Sequence, residues 1–221
     1  ILLTLLLQLT VAFSAFAQTD NVGEYLIQNS KRFLTVKGLE LKPGLRMDDA
    51  LKAFEAKGWE RSKLFDILKE QNDVYALDGT FYNRSNCNIM IIPTANNKKI
   101  VGTIGITLPD RKSFKDLKEE YDDLKSALSD KYHIVSSTES FDDKNLEEST
   151  SDLLKLTALS HNEAEFMTEF HLSENKQDDL LGFIRLFISP IKTDTQESFH
   201  VYILYCTYDD LMEQVKAKDD L

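Results

Sequence analysis

The longest regular pattern of hydrophobic positions predicts a helix from Ser113 to about His133. Apolar and aromatic residues recur there at intervals of three and four, with polar residues between them: Phe114, Leu117, Tyr121, Leu124, Leu128 and Tyr132. Ser113 is the expected N-cap, because Asp116 follows three residues later. We expect this helix to bury its apolar face against a sheet.

Alternating apolar and polar positions predict strands on both sides of this helix. In the first half, a strand with a bulge at Gly38 is expected at 33–41, two short helices follow at 47–57 and 62–71, and three strands follow at 74–82, 87–93 and 100–108. In the second half, we expect a strand at 134–140, a helix at 146–160, strands at 166–172, 182–191 and 199–208, and a short terminal helix.

Both halves thus show helices followed by three strands. This order predicts an α+β fold, an antiparallel sheet with helices on one face, because short connections favour antiparallel pairing. It also suggests a tandem duplication of a helix-helix-three-strand unit. The first repeat would cover residues 33–111 and the second residues 112–221, and the two would pack as one globular unit.

The first seventeen residues predict a secretory signal peptide. Residues 1–17 are uncharged and rich in leucine, and they close on the small residues Ala15 and Ala17. The next residue is Gln18, whereas a bacterial lipoprotein anchor requires a cysteine. Since the chain starts at Ile1 and no Lys or Arg precedes the apolar run, we expect the start of the signal to be missing from this sequence. The alternative interpretation is a buried N-terminal helix.

Residues 18–32 are polar and aperiodic and are expected to form a flexible leader. The predicted product is exported and soluble, in the periplasm or outside the cell, with no transmembrane segment after signal cleavage. The formal net charge of −11, from 26 basic and 37 acidic residues, argues against nucleic acid and anionic membranes as partners.

Cys87 and Cys206 are the two cysteines, and both lie in strand-like runs. In an oxidising compartment they can form a disulfide if their strands are neighbours. The alternative is two separate buried thiols.

No known catalytic motif is present in the sequence. There is no nucleophile elbow, no phosphate-binding glycine loop and no zinc-binding pair, and the four histidines are scattered along the chain. We therefore expect no catalytic residues, no cofactor and no metal. The alternative is a periplasmic hydrolase whose site is assembled only in three dimensions.

One strand suggests an interaction surface. If Ile184, Leu186 and Ile188 face the helices, their neighbours face the other way, and arginine and aromatic side chains are typical of binding hot spots. The candidate partner-binding residues are Tyr82, His171, Phe183, Arg185, Phe187 and Tyr202. A covering loop, a second layer or a dimer partner would also explain them, so the oligomeric state stays open.

The chain resembles a set of uncharacterised exported proteins of Bacteroidetes. The resemblance rests on 33–41 with Gly38, on Lys57-Gly58-Trp59, on 77–81 leading to Cys87, and on Leu108-Pro109 with the stripe of the long helix. It continues more loosely through 182–188 and 205–211. The repeated unit is also similar in architecture to β-lactamase-inhibitor protein and to small outer-membrane assembly lipoproteins. The resemblance implies export and this fold more than a function. From the residues themselves we expect an exported, non-catalytic binding protein that uses an exposed sheet face for a protein or glycan partner.

Overall fold

A computed structural model describes residues 32–172, 181–192 and 196–212. The predicted signal peptide (1–17) and nearly all of the predicted leader (18–32) lie outside the described residues. In chain order the elements are β1 (Thr35–Val36), β2 (Leu39–Glu40), α1 (Met47–Glu55), β3 (Glu60–Arg61), α2 (Phe65–Asn72), β4 (Tyr75–Phe81), β5 (Arg84–Pro93), β6 (Val101–Thr107), α3 (Phe114–Ser129), β7 (His133–Phe141), α4 (Asn145–Glu148), α5 (Asp152–Ser160), β8 (Ala164–His171), β9 (Gly182–Lys192) and β10 (Glu197–Thr207).

The main sheet has eight strands in the order β3-β4-β5-β6-β10-β9-β8-β7, and every neighbouring pair is antiparallel. The predicted α+β class with an antiparallel sheet is confirmed. The last strands of the two halves, β6 and β10, meet at the centre, and each half continues outward in reverse chain order. In both halves a strand, β3 or β7, stands between the helices, so the repeated order is helix, strand, helix, three strands.

The helices cover one face of this sheet. On that face the residues in register across the four central strands are all apolar and fully buried: Ile89, Ile106, Ile203 and Leu186. Helix α1 packs on β5, and α3 and α5 pack on β8 to β10. Helix α2 lies along the β4 edge, where Phe65 stacks on Tyr75 with ring centroids 5.5 Å apart. One core cluster contains residues of both halves.

The long helix follows its hydrophobic stripe closely. Ser113 caps α3, because its hydroxyl accepts a hydrogen bond from the Asp116 backbone N–H at 3.0 Å. The helix ends at Ser129, four residues before the predicted end, and Tyr132 packs into the core from the connection to β7. Burial of this stripe against the sheet fixes the position of α3.

Two other elements differ from the prediction. Residues 33–41 contain a tight hairpin, β1 and β2, because Lys37 and Gly38 both adopt positive φ and reverse the chain. The expected helix 146–160 is divided into α4 and α5. Ser149 is extended there, and Ser151 caps α5 by accepting a bond from the Leu154 N–H.

A buried ion cluster joins the β4–β5 turn, the β6–α3 connection and α3. The Glu120 carboxylate is only 3% exposed, and it accepts bonds from Arg84 Nε at 2.6 Å and from Arg111 Nη2 at 2.8 Å. Arg84 also pairs with Asp123 at 3.0 Å. The bond to Glu120 raises the pKa of Arg111 above its usual range, so Arg111 remains charged.

The two cysteines are separate buried thiols, which is the second of the two alternatives, and no disulfide joins them. Cys87 lies on the helix side of β5, and Cys206 lies on the opposite side of β10, with β6 between the two strands. Burial raises the pKa of both thiols, that of Cys206 to about 11. Both are therefore protonated near neutral pH and are weak nucleophiles.

Among the described residues, no helix is both long enough and apolar enough to cross a membrane.

Candidate binding face

The sheet surface opposite the helices is called the open face here. It consists of the residues that alternate with the core residues along each strand. In the described parts of the chain, α2 borders this face at β4 and β5, and α1, α3 and α5 pack on the opposite face. Cross-strand register gives it a central row: Asn88, Thr107, Tyr202, Phe187 and Met167. A second row is parallel to it: Met90, Gly105, Leu204, Arg185 and Glu169.

Five of the six residues predicted for partner binding share this face: His171, Phe183, Arg185, Phe187 and Tyr202. Each is partly exposed, whereas the alternate residues of β9, such as Ile184 and Leu186, are fully buried. Phe187 lies opposite Tyr202 on one side and opposite Met167 on the other.

The sixth residue, Tyr82, lies elsewhere, and its assignment to this face was wrong. Strand β4 ends at Phe81, and Tyr82 and Asn83 form the hairpin turn with positive φ at both positions. The turn removes Tyr82 from the pleat, and its ring lies beneath the Arg84 guanidinium at 5.5 Å. Strands β5, β6 and β10 separate this turn from β9.

Arg185 is the centre of the polar part of the open face. Its Nη2 donates to Glu169 Oε2 at 2.8 Å, and its guanidinium lies 5.1 Å from the centre of the Phe183 ring. His171 Nε2 lies 3.4 Å from the other oxygen of Glu169. The Nε atom of Arg185 is buried and has no hydrogen-bond partner among the described residues. One donor of the guanidinium is therefore unsatisfied, at a cost of about 1–3 kcal/mol.

The carboxylate of this cluster remains ionised. The hydrogen bond with His171, followed by the bond from Arg185, holds the pKa of Glu169 below its usual range against the opposing effect of burial. Glu169 therefore compensates the charge of Arg185 at neutral pH and holds the guanidinium in place.

The aromatic part of the open face is a short stack of rings. The Phe187 and Tyr202 rings are nearly parallel, at 11°, with centroids 5.1 Å apart, and His200 meets Tyr202 edge-on at 6.0 Å. Burial raises the pKa of Tyr202 to about 12, so its hydroxyl is neutral and available as a donor. This stack places a rigid apolar surface beside Arg185.

A shallow depression of about 460 Å³ lies over β8 and β9, and its walls include Met167, Arg185, Phe187, Ser189 and Leu204. A smaller one of about 290 Å³ lies between α2 and the open face of β4 and β5. Within the described ranges, no group of three or more His, Cys, Asp or Glu side chains is placed to hold a metal ion. The arrangement offers contact area and a few directed polar groups.

Sequence reasoning missed several members of the open face. Met167 and Glu169 precede His171 by four and two residues on the same strand, so the alternation that assigned His171 also predicts them. Leu204 follows in the same way from Tyr202. The alternation along β8 and β10, continued from His171 and Tyr202, identifies all three residues.

A serine–histidine pair was also missed. His200 Nδ1 lies 2.8 Å from the Leu108 carbonyl, which fixes the proton on that nitrogen, and Nε2 lies 2.9 Å from Ser198 Oγ. The spacing of two residues on one strand places both side chains on the same face and indicates such a contact. Neither depression described above includes Ser198 or His200.

No protein-family model matches this chain, and comparisons with curated proteins and with solved structures found no match. The resemblance to exported proteins of Bacteroidetes remains a prediction, and the functional argument rests on the geometry of the open face.

Proposed function

We propose that the protein is an exported, non-catalytic binding protein and that its open face captures a partner polypeptide. The observation that carries the proposal is Arg185, whose guanidinium is held by Glu169 and Phe183, while its Nε has no partner in the described part of the chain. The Arg185 side chain is 38% exposed, so a carbonyl or carboxylate oxygen of a partner can reach its guanidinium. Arginine beside aromatic residues is typical of interface hot spots. Export is proposed from the apolar, uncharged segment 1–17.

The ring geometry favours a polypeptide over a glycan. Sugar rings bind by stacking on free aromatic faces, but Phe187 and Tyr202 cover one face of each other. Arg185 lies over the Phe183 ring. The depression beside the rings has a mixed lining, with Met167 and Leu204 among its apolar residues and Glu165, Arg185 and Ser189 among its polar ones. Methionine, aromatic residues and arginine together form the usual composition of a protein–protein interface core.

Site-specific photo-crosslinking tests the proposal. A photo-reactive residue is placed at the position of Thr107, beside Tyr202 on the open face, and in a control at the position of Leu153 on α5, which is 74% exposed. The mature proteins are irradiated in cell-envelope extract, and adducts are identified by mass spectrometry. We expect a discrete polypeptide adduct from position 107 and none from position 153.

The matched variant is Phe187→Ser in the Thr107 crosslinker background. Because truncation of an aromatic hot spot costs about 2 kcal/mol or more, we expect the adduct to fall at least about tenfold. Equal adducts from both positions, or an adduct that does not depend on Phe187, would contradict a binding site on the open face. A carbohydrate adduct would identify the partner as a glycan and not a polypeptide.

The second candidate function is hydrolysis, and the Ser198–His200 pair is the observation that favours it. A hydroxyl bonded to an oriented imidazole is the arrangement that activates a serine nucleophile. A fluorophosphonate reports such a serine: Ser198 Oγ bonds to phosphorus, fluoride leaves, and the hydroxyl proton passes to His200. Labelling of Ser198 that is lost in His200→Ala would contradict the non-catalytic part of the proposal.

A further inference from the structure

The two edges of the main sheet are unequal. At one edge β3 has two residues, both charged, and so offers little to a neighbouring chain. At the other edge β7 has nine residues and no proline, and its register irregularity is confined to Ile134–Ser136. Natural sheets protect long edges with charges, prolines or bulges. From Ser136 onward β7 has one charged residue, Glu139.

Glu139 does not protect the edge, because it is occupied by two lysines of α3. Lys118 binds one carboxylate oxygen at 3.1 Å, and Lys125 binds the other in a closer contact. These bonds outweigh the effect of burial and hold the pKa of Glu139 below its usual range, so it remains ionised and paired. The side chain is thus held by α3, on the helix side of the sheet.

The hydrogen-bond register identifies the backbone groups that face outward. The N–H of Asp142 donates to the Glu163 carbonyl at 2.8 Å, one step beyond the last pair of β7 and β8. Since bonded pairs alternate along an antiparallel ladder, Ser140, Thr138 and Ser136 also face β8. Ser137 and Glu139 therefore direct their N–H and C=O groups away from the sheet, and these groups have no hydrogen-bond partner within the described residues.

An alternating row of outward N–H and C=O groups forms main-chain hydrogen bonds with another extended backbone. The charge of the protein determines which extended chains are attracted to this edge. The exposed charged residues next to β7 are Asp130 and Lys131 before it and Asp142, Asp143 and Lys144 after it. The whole chain has a net charge of −11. A second copy of this chain would carry the same net negative charge, whereas a segment rich in lysine or arginine would be attracted to the protein.

We propose that β7 accepts an extended, basic segment of a partner polypeptide as a ninth strand of the sheet. This site is distinct from the open face and does not depend on the function proposed for it. The added strand would bond to Ser137 and Glu139 and would continue the sheet past its present edge.

The probe is a fluorescent synthetic peptide of alternating lysine and valine, of the same length as β7, with blocked ends. Fluorescence anisotropy measures its binding to the mature protein, and hydrogen exchange measures protection. We expect saturable binding, with exchange of the Ser137 and Glu139 amides slowed at least about tenfold. Absence of binding, or binding without protection of these two amides, would overturn the proposal.

Two substitutions of Ser137 distinguish the contribution of its backbone N–H from that of its side chain. Ser137→Ala and Ser137→Pro both lose the hydroxyl that contacts Thr168 and Lys125, but only the proline removes the outward N–H. We expect the alanine variant to bind the peptide as the wild type does, and the proline variant to lose binding at least about tenfold. Equal binding by the two variants would overturn the proposal.

If Ser137→Pro does not fold, a modified peptide provides the test instead. The same peptide with alternate amides N-methylated cannot donate along one edge, so we expect no binding of it to the wild-type protein. Phe187→Ser should bind the unmodified peptide normally. This result therefore does not depend on whether the open face binds a partner. Equal binding of a glutamate–valine peptide would overturn the basic preference. A dimer of this chain that Ser137→Pro abolishes would assign the edge to a second copy.

Discussion

Replacing Glu120 with Gln is expected to lower the free energy of unfolding by about 3 kcal/mol. The substitution keeps the size of the side chain but removes the negative charge that Arg84 and Arg111 share. Both guanidinium groups then face each other in a partly buried site without their common partner. The loss is at the lower end of the range for a broken buried pair, because Arg111 remains 34% exposed and water screens it.

Urea denaturation at neutral pH measures this effect, and Glu119→Gln is the matched control. Glu119 is the preceding residue of α3, and its side chain is 65% exposed, with a loose pair to Lys115 at 3.8 Å. We expect the control to change stability by less than about 0.5 kcal/mol. If both substitutions cost the same, the ion cluster contributes no more than a surface charge does.

Gly182→Ala is expected to destabilise the protein by about 3 kcal/mol or more. Gly182 begins β9 with φ of +112°, which an alanine rarely adopts. An added Cβ would also lie 2.2 Å from the carbonyl oxygen of Cys206 on the paired strand. Because this atom belongs to the backbone and not to a flexible side chain, β9 and β10 must separate locally.

Gly105→Ala is the control, since Gly105 also lies in the central sheet and on the open face. Its Cβ would meet the end of the flexible Leu204 side chain at 3.2 Å. We expect a change of less than about 1 kcal/mol in thermal and urea unfolding. Equal losses in the two variants would show that any added Cβ disrupts the sheet, and the special constraint at Gly182 would be refuted.

Local periodicity predicted most of the elements, because α3 and β9 each have a consistent apolar face over many residues. The hairpin at Lys37 and Gly38 was not predictable in this way, since a positive φ at lysine is locally unfavourable and is maintained by the surrounding fold. The interruption between α4 and α5 depends on the cap at Ser151, which competes with a continuous helix.

The sheet order required information that periodicity does not contain. Short connections predict which consecutive strands pair, but the central β6–β10 pair joins residues about a hundred positions apart. The separate positions of Cys87 and Cys206 follow from that order, as does the meeting of Arg84, Arg111 and Glu120. These long-range contacts depend on how two halves pack together.

The sequence predicted which residues share the open face where these residues alternate strictly with buried ones. Phe183, Arg185 and Phe187 alternate with buried aliphatic residues along β9, and the structure brings them to one surface with Tyr202 and His171. Tyr82 was misplaced because alternation ends where a turn begins, and the turn residues Tyr82 and Asn83 do not include a glycine to signal it.

The central claim is that β9 separates a core from a binding surface. A matched pair of double variants on this strand tests it most directly: Phe183→Ser with Phe187→Ser, and Ile184→Ser with Leu186→Ser. The rings are partly exposed, so the first pair should cost about 1 kcal/mol per residue, whereas Ile184 and Leu186 are fully buried, and the second pair should cost several kcal/mol per residue.

The decisive measurement is the melting temperature of the two double variants. For a chain of this size, about 1 kcal/mol corresponds to roughly 2–4 °C. The account predicts a cooperative transition lowered by roughly 4–8 °C for the phenylalanine pair and loss of the cooperative transition for the aliphatic pair. If the phenylalanine pair abolishes the transition as well, these rings belong to a second core and the open face does not exist as a binding surface.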